Sequence, residues 1–309
     1  MLLDSIVKRT PIDKGWSADR KYLAEAAGGS VYLLRISPLN RLEAVKNGFE
    51  RMRDLADMGV SICLPLEQGV CAEGVYRIQS WINGTDAERW IPARSGEQQY
   101  AYGLEAGRLL KSIHSISAPE GVPPWGERFG RKIDRKISMY QSCPLRYEND
   151  GVFLRYLEEN RNLLKDRPQT FQHGDYHIGN MMVDRDGKLV VIDFDRWDYG
   201  DPWEEFNRIV WSAQASEPFA AGMVDGYFNG TVPAEFWRLL ALYLSCNTLG
   251  SLPWAIDFGE GEIQTMRDQA AQVLTWYSRM KTPVPSWYGR GRSEWKEAGL
   301  SCRKCIPKE

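Results

Sequence analysis

The chain has 309 residues, 43% of them hydrophobic and 26% charged, with a formal net charge of -2. That length can bury sizeable cores and form two lobes, and the composition is globular rather than disordered. The near-neutral balance excludes the basic footprint of a nucleic-acid partner. No run reaches the roughly 20 apolar residues expected of a membrane helix, and the opening MLLDSIVKRT is too short in apolar residues for a signal peptide. The expected location is the cytoplasm, with no membrane partner.

In chain order, residues 12–22 place Gly15 and small residues between two candidate strands, where a loop can cover phosphates, although one glycine makes a poor phosphate loop. Gly28 and Gly29 mark a hairpin turn before residues 31–36, whose β-branched and aromatic content predicts a third strand. A helix over 40–57 carries Glu43 and Glu50, and 75–82 reads as the last strand of this lobe, ended by Asn83 and Gly84. Beyond it the chain becomes mostly helical. Tyr102, Ala106, Leu109, Leu110 and Ile113 recur at helical spacing within 98–116, as do Phe153, Leu154, Leu157 and Leu164 within 151–165. His114 reads as a buried, hydrogen-bonded histidine. Further helices are expected near 203–214, 216–228, 233–255 and 261–280, followed by a loosely held tail from 284 onward.

The most informative segment is 171–201, FQHGDYHIGNMMVDRDGKLVVIDFDRWDYGD. Asp175 precedes Asn180 by five residues, and Leu189, Val190, Val191 and Ile192 read as a buried strand ending at Asp193. Met181, Met182 and Val183 form a short strand after Asn180, residues 184–187 turn the chain, and the apolar run returns antiparallel. Asn180 and Asp193 therefore fall at the same open end of one hairpin. Transfer of a phosphoryl group to an alcohol needs a carboxylate beside the attacking hydroxyl, and hard oxygen donors for Mg²⁺ beside the polyphosphate. Asp175 suits the first role, and Asn180 and Asp193 the second. Taken singly, each would read as a turn or cap residue. Their joint order carries the signal.

The run His173-Gly174-Asp175-Tyr176-His177-Ile178-Gly179-Asn180 resembles the H-G-D-x-H-x-x-N motif of the aminoglycoside phosphotransferase and choline kinase group, a branch of the protein-kinase-like fold. Ile192-Asp193-Phe194-Asp195, followed by Tyr199-Gly200-Asp201-Pro202, resembles that group's second motif. The resemblance implies a two-lobed α+β fold: residues 1–82 as a nucleotide-binding lobe with a small antiparallel sheet and one helix, and 83–309 as a larger, mainly helical lobe for catalysis and acceptor binding. It also implies ATP or GTP with Mg²⁺ as cofactors and a small-molecule hydroxyl as acceptor. His173 would shape the loop by bonding nearby backbone, and Asp201 would brace it by accepting backbone hydrogen bonds. Arg35 stands where the kinase template has a phosphate-binding lysine and would position the nucleotide phosphates in its place, with Glu50 as its helix partner. The backbone of Ser80, Trp81 and Ile82 would meet the edge of the base.

The acceptor is less sharply indicated. Asp257, Glu260 and Glu262 make an acidic loop which, with Asp195 and Asp198, would suit a polycation such as an aminoglycoside. The two glutamates equally suit a helix N-terminus, and Trp197, Trp203, Trp211 and Trp254 are core or pocket aromatics. Choline, a sugar, a macrolide or another small metabolite are alternative acceptors. From a different class, Arg35 and the poor phosphate loop motivate a catalytically silent nucleotide-binding module. The sequence leaves the oligomeric state open. Cys302 and Cys305 form a C-x-x-C with no second pair or histidine nearby, and read as free thiols rather than a zinc site.

Overall fold

The computed structural model describes residues 1–13 and 19–289. Contacts divide the chain into two compact units: Met1–Trp90 with His173–Asp175 and Gly179–Trp197, and Ile91–Gln172 with Tyr176–Ile178 and the chain from Asp198 onward. The units thus part at Trp90, and the motif loop and hairpin join the N-terminal residues, where a single boundary at 82/83 was expected.

The first unit opens with a turn of helix, α1 (Leu2–Ser5), and continues through β1 (Ile6–Pro11), β2 (Arg20–Ala26), β3 (Val31–Ser37), α2 (Leu42–Asp57), β4 (Pro65–Cys71), β5 (Gly74–Ser80), β6 (Gly84–Asp86) and α3 (Ala87–Trp90). The first five strands form one antiparallel sheet in the order β1-β2-β3-β5-β4. Strand β5, the last of the five along the chain, is internal in the sheet, and six of its seven residues are buried. The sequence reading missed β4 because Pro65, Glu67, Gln68 and Gly69 dilute its apolar pattern. It is an edge strand, where proline is tolerated. Ala24, Leu34, Ile36, Tyr76 and Ile78 form a core within this sheet. Helix α2 buries Val45, Phe49, Met52 and Leu55, a stripe at helical spacing.

Helices α4 (Gly96–Ile113), α5 (Trp125–Ser142) and α6 (Gly151–Asn160) and strand β7 (Thr170–Gln172) follow in the second unit. The chain then enters the first unit again as the hairpin β8 (Met181–Asp184) and β9 (Leu189–Val191), which pairs with β6 in a three-stranded sheet. The second unit resumes with β10 (Asp198–Gly200), paired to β7, and α7 (Ile209–Ala215), α8 (Glu217–Phe228), α9 (Ala234–Ala255), α10 (Glu260–Trp276) and α11 (Ser286–Gly289). Helix α5 was also missed: its five basic residues between Arg128 and Lys136 mask a buried face of Trp125, Phe129, Ile133 and Tyr140.

Helices α4 and α8 meet backbone to backbone. A Cβ on Gly103 would collide with the carbonyl of Phe219, and one on Gly222 with the carbonyl of Tyr100, so glycine on both sides permits the approach. Helix α9 corrects an expectation. Ala234–Phe258 is long and apolar enough to cross a membrane, yet 72% of its apolar window is buried inside the fold, as in a core helix. The tail is likewise anchored as far as Gly289, with Trp287 and Tyr288 buried and the Tyr288 hydroxyl donating to Asp225 Oδ1 at 2.7 Å. Gly15, Trp16, Cys302 and Cys305 lie outside the described residues.

Candidate active site

The β8–β9 hairpin brings two of the motif residues together. Its register pairs Met181 with Val191 and Val183 with Leu189. Asp184 Oδ1 closes the turn by accepting from the backbone N–H of Asp186 (3.0 Å) and Lys188 (2.8 Å). At the open end the N–H of Ile192 donates to the Asn180 carbonyl at 3.0 Å, placing Asn180 and Asp193 at one mouth. Asn180 Nδ2 donates to the main-chain carbonyl of Asp175 at 2.8 Å, which orients its amide and ties it to the backbone of the loop. Asp193 sits in the left-handed region, φ 69° and ψ 59°, so the chain bends sharply where the strand ends. That conformation is costly for a residue with a Cβ and concentrates at functional sites.

His173 has the structural role expected of it. Its fully buried ring accepts from the Asp175 N–H at Nδ1 (3.2 Å), so a neutral ring carries its proton on Nε2, which donates to the Ile192 carbonyl at 2.9 Å. The imidazole thereby ties the loop to the strand that ends at Asp193. Gly174 is required beside it: its φ is +85°, and a Cβ would strike the carbonyl of Arg196.

A buried charge cluster surrounds Asp193. Arg35, 3% exposed, donates to Asp193 Oδ1 at 2.8 Å and pairs with Asp195 and, at 3.3 Å, with Asp19. Lys21 reaches Asp193 Oδ2 at 3.6 Å. Arg77 pairs with Asp195 and with Asp19 Oδ2 at 2.5 Å. Burial opposes ionisation of Asp193, but the charges of Arg35 and Lys21 and the Arg35 hydrogen bond outweigh it and hold the carboxyl well below the usual range. The same balance, with Arg77 and Arg35 against burial, lowers Asp19. Burial, reinforced by the neighbouring Arg35, depresses Arg77 to about 10 despite Asp19. Asp175 Oδ2 lies 3.6 Å from the half-exposed Arg196.

Three expectations change here. Glu50 is exposed on α2, and the three carboxylates that face Arg35 are Asp19, Asp193 and Asp195. The Arg35–Glu50 pair is therefore not formed, because the guanidinium turns toward the buried carboxylates. Asp195 is buried between Arg35 and Arg77 instead of presented to an acceptor. Ser80 is committed to Leu64 through both its N–H (2.9 Å) and its hydroxyl (2.8 Å), while Trp81 and Ile82 follow the end of β5. The sequence reading overlooked Asp19, Lys21, Arg77 and Arg196. Lys21 and Arg77 meet Arg35 through strand register, Lys21 opposite Arg35 and Arg35 opposite Arg77, and Asp19 directly precedes β2; no local motif encodes this.

Other site residues belong to the second unit. Asp201 is fully buried and accepts from Arg167 Nε (2.7 Å) and Nη2 (3.0 Å), the Tyr243 hydroxyl (2.6 Å) and a single backbone N–H, that of Trp203 (3.0 Å). Its partners are thus mainly side chains, where backbone was expected. Its carbonyl accepts from Gln172 at 2.8 Å, next in sequence to His173. Tyr176 is held by its hydroxyl on the Ala106 carbonyl (2.7 Å) and its N–H on the buried Glu205 (3.3 Å), and Ile178 by its N–H on Ser212 (3.1 Å). His114 is buried and shares a hydrogen bond with the Tyr227 hydroxyl. Asp198 is exposed and paired with Arg128 at 3.0 Å. Asp257 and Glu260 are exposed, Glu262 is half-buried, Glu260 lies 3.4 Å from Arg267, and both glutamates occupy the first turn of α10.

The donor set suits a hard divalent cation. Asn180 offers an amide oxygen and Asp193 an ionised carboxylate at one hairpin mouth. Among the described residues no group of three or more His, Cys, Asp or Glu forms a metal cage. A site with two protein oxygens leaves coordination positions for phosphate and water, as Mg²⁺ requires.

A loop carboxylate joined to an Asn, a carboxylate at the end of a hairpin strand, and an antiparallel sheet carrying a single long helix define a small-molecule phosphotransferase of the protein-kinase-like α+β fold. The model of the phosphotransferase enzyme family (APH) matches residues 8–237, and the chain belongs to that family. No curated protein matches it. Among solved structures it is similar to a choline/ethanolamine kinase family protein from Mesorhizobium loti (TM-score 0.63, 19% identity, 93% of this chain and 92% of that one). It is also similar to the amicoumacin kinase hAmiN in complex with AMP-PNP, Ca²⁺ and Ami (0.62, 14%, 90% of each). A thermostable mutant of aminoglycoside phosphotransferase APH(4)-Ia with ADP and hygromycin B gives 0.60 and 18%, over 88% and 94% of the two chains. At these identities the likeness is one of fold.

Proposed function

We propose that this phosphotransferase moves the γ-phosphate of ATP or GTP to a hydroxyl of a small molecule in a Mg²⁺-dependent reaction, with an aminoglycoside as acceptor. The observations that support the reading are that Asn180 and Asp193 lie at one hairpin mouth and that the Asn180 amide bonds the main-chain carbonyl of Asp175. Asp175 takes the proton of the acceptor hydroxyl as its oxygen attacks the γ-phosphorus, and the bond to the β-phosphate oxygen breaks to release nucleoside diphosphate. Asn180 Oδ1 and the Asp193 carboxylate would hold Mg²⁺, which would supply neutralisation of the polyphosphate charge. Asn180 and His173 keep the Asp175 loop in register with Asp193. The backbone of Trp81 and Ile82 meets the base edge, residues 1–82 serve the nucleotide, and 83–309 supply the acceptor site.

The aminoglycoside assignment draws on the acidic Asp198, Asp257, Glu260 and Glu262, and on the hygromycin B complex of the similar phosphotransferase. It makes antibiotic resistance the expected phenotype. The test is nucleoside diphosphate release with hygromycin B, gentamicin, amicoumacin, a macrolide, choline and sugars as acceptors. Turnover dependent on an aminoglycoside and on Asp175 is the expected result. Preference for choline or a sugar would replace the acceptor. Nucleotide binding without release would assign the chain a silent nucleotide-binding role, a reading favoured by the cations that face both oxygens of Asp193.

A further inference from the structure

Strand β3 carries an arginine at the position where the kinase template has a lysine, and the geometry around it separates two tasks. Arg35 is 3% exposed and engages Asp19, Asp193 and Asp195. Asp19 and Asp195 are themselves buried, at 0% and 7%, and are shared with Arg77. Two guanidiniums and two carboxylates thus form a charge-balanced, buried set, with one further Arg35 nitrogen on Asp193. To grip a polyphosphate, Arg35 would have to leave this set and strand buried carboxylates short of a partner, an arrangement that proteins avoid.

Lys21 is placed differently. It lies directly opposite Arg35 in the β2–β3 register, and cross-strand partners project from the same face of a sheet. Its ammonium faces the other oxygen of Asp193 at 3.6 Å, and its side chain is 12% exposed, against 3% for Arg35. An ammonium on a flexible four-carbon stem is a compact charge with three rotatable donors, able to swing from a carboxylate to a nearby phosphate.

We propose that Lys21, from β2, is the side chain that grips the nucleotide phosphates, and that Arg35 is a positioning residue that fixes Asp193 at the hairpin mouth. The phosphate-binding charge has moved one strand sideways, and the β3 position has become part of the support for the metal-binding carboxylate. The assignment rests on the nucleotide reading proposed above.

The test is calorimetric titration of the full chain with MgATP and MgGTP, and with adenosine and guanosine as phosphate-free controls. It compares wild type, Lys21→Met, Lys21→Arg and Arg35→Lys, with thermal unfolding as a check on each variant. Lys21→Gln serves as the second neutral variant if Lys21→Met lowers the melting temperature. Removing the Lys21 charge is expected to weaken the preferred triphosphate by roughly tenfold or more, the effect of one charge-assisted hydrogen bond, and to leave its nucleoside unchanged. Lys21→Arg keeps most of the affinity. Arg35→Lys raises the Mg²⁺ concentration that half-saturates nucleotide binding, and saturating Mg²⁺ restores the affinity, a response that a merely structural defect would not show. Undiminished triphosphate affinity in both neutral Lys21 variants, or an Arg35→Lys defect that Mg²⁺ does not relieve, overturns the assignment and leaves the nucleotide reading standing. A wild type that binds neither triphosphate removes both.

Discussion

Asp175 presents its carboxylate 3.6 Å from Arg196, while its backbone is pinned by His173 on one side and Asn180 on the other. Those two bonds use main-chain atoms of Asp175, so Asp175→Asn leaves them in place and removes the carboxylate charge that we propose takes the acceptor's proton. We expect this variant to lose about 10²- to 10⁴-fold in kcat, the range for one general base, while its nucleotide Kd stays at the wild-type value. Single-turnover kinetics beside a binding titration check both. His173→Ala acts through geometry instead: it removes the bond to the Ile192 carbonyl and leaves a cavity in a fully buried position. It should destabilise the protein by about 2–4 kcal/mol, as a large-to-small core change does, measured by the urea midpoint. The placement of Asn180 and Asp193 at one hairpin mouth was legible in the sequence because one continuous segment holds both strands and their turn. Asp19, Lys21 and Arg77 were not, since they meet Arg35 only once β2, β3 and β5 are in register.

At the scale of elements, the legible ones were those whose pattern is not diluted. The stripe of α2 and the hairpin flanking residues 184–187 could be read directly, whereas β4 was hidden by its Pro, Gly and polar residues, and α5 by its basic residues. The tight contact of α4 with α8 is likewise invisible in hydrophobic periodicity, because what matters there is the missing side chain at Gly103 and Gly222. Gly222→Ala would raise helix propensity yet push a methyl group into the Tyr100 carbonyl. We expect a net loss of about 1–3 kcal/mol from overpacking, read from denaturant unfolding; an increase in stability would mean that the two helices can part without cost. Asp201 is the other fixed point of the second unit, with Arg167 in a two-pronged pair and Tyr243 on the same carboxylate. Asp201→Ala leaves Arg167 without its buried counter-charge. It should cost about 3–5 kcal/mol, more than Asp198→Ala, whose partner Arg128 meets it at the exposed surface.

For the molecule as a whole, the buried charges set a pH response whose sign follows from the carboxylates. Asp19 and Asp193 both have folded-state pKa values below the ordinary range, since the neighbouring cations outweigh the burial that opposes their ionisation. A carboxylate with a depressed folded pKa stabilises the fold above its unfolded pKa of about 4, and that contribution is lost as pH falls toward the folded value. The unfolded chain binds the extra protons in this window, so stability must decline with acidification from about pH 4 downward. Asp19 makes the sharper test, because its side chain is fully buried among Arg35, Arg41 and Arg77. Asp19→Asn should lower the melting temperature at neutral pH, where the ionised carboxylate contributes fully. Below pH 4 the gap between the two proteins should narrow, as wild type also loses that charge. Parallel curves down to pH 2 would show that Asp19 has the same affinity for protons folded and unfolded, and would remove the cation cluster as the source of acid sensitivity. A narrowing gap would locate that sensitivity in the buried cluster of Asp19, Arg35 and Arg77 that surrounds Asp193.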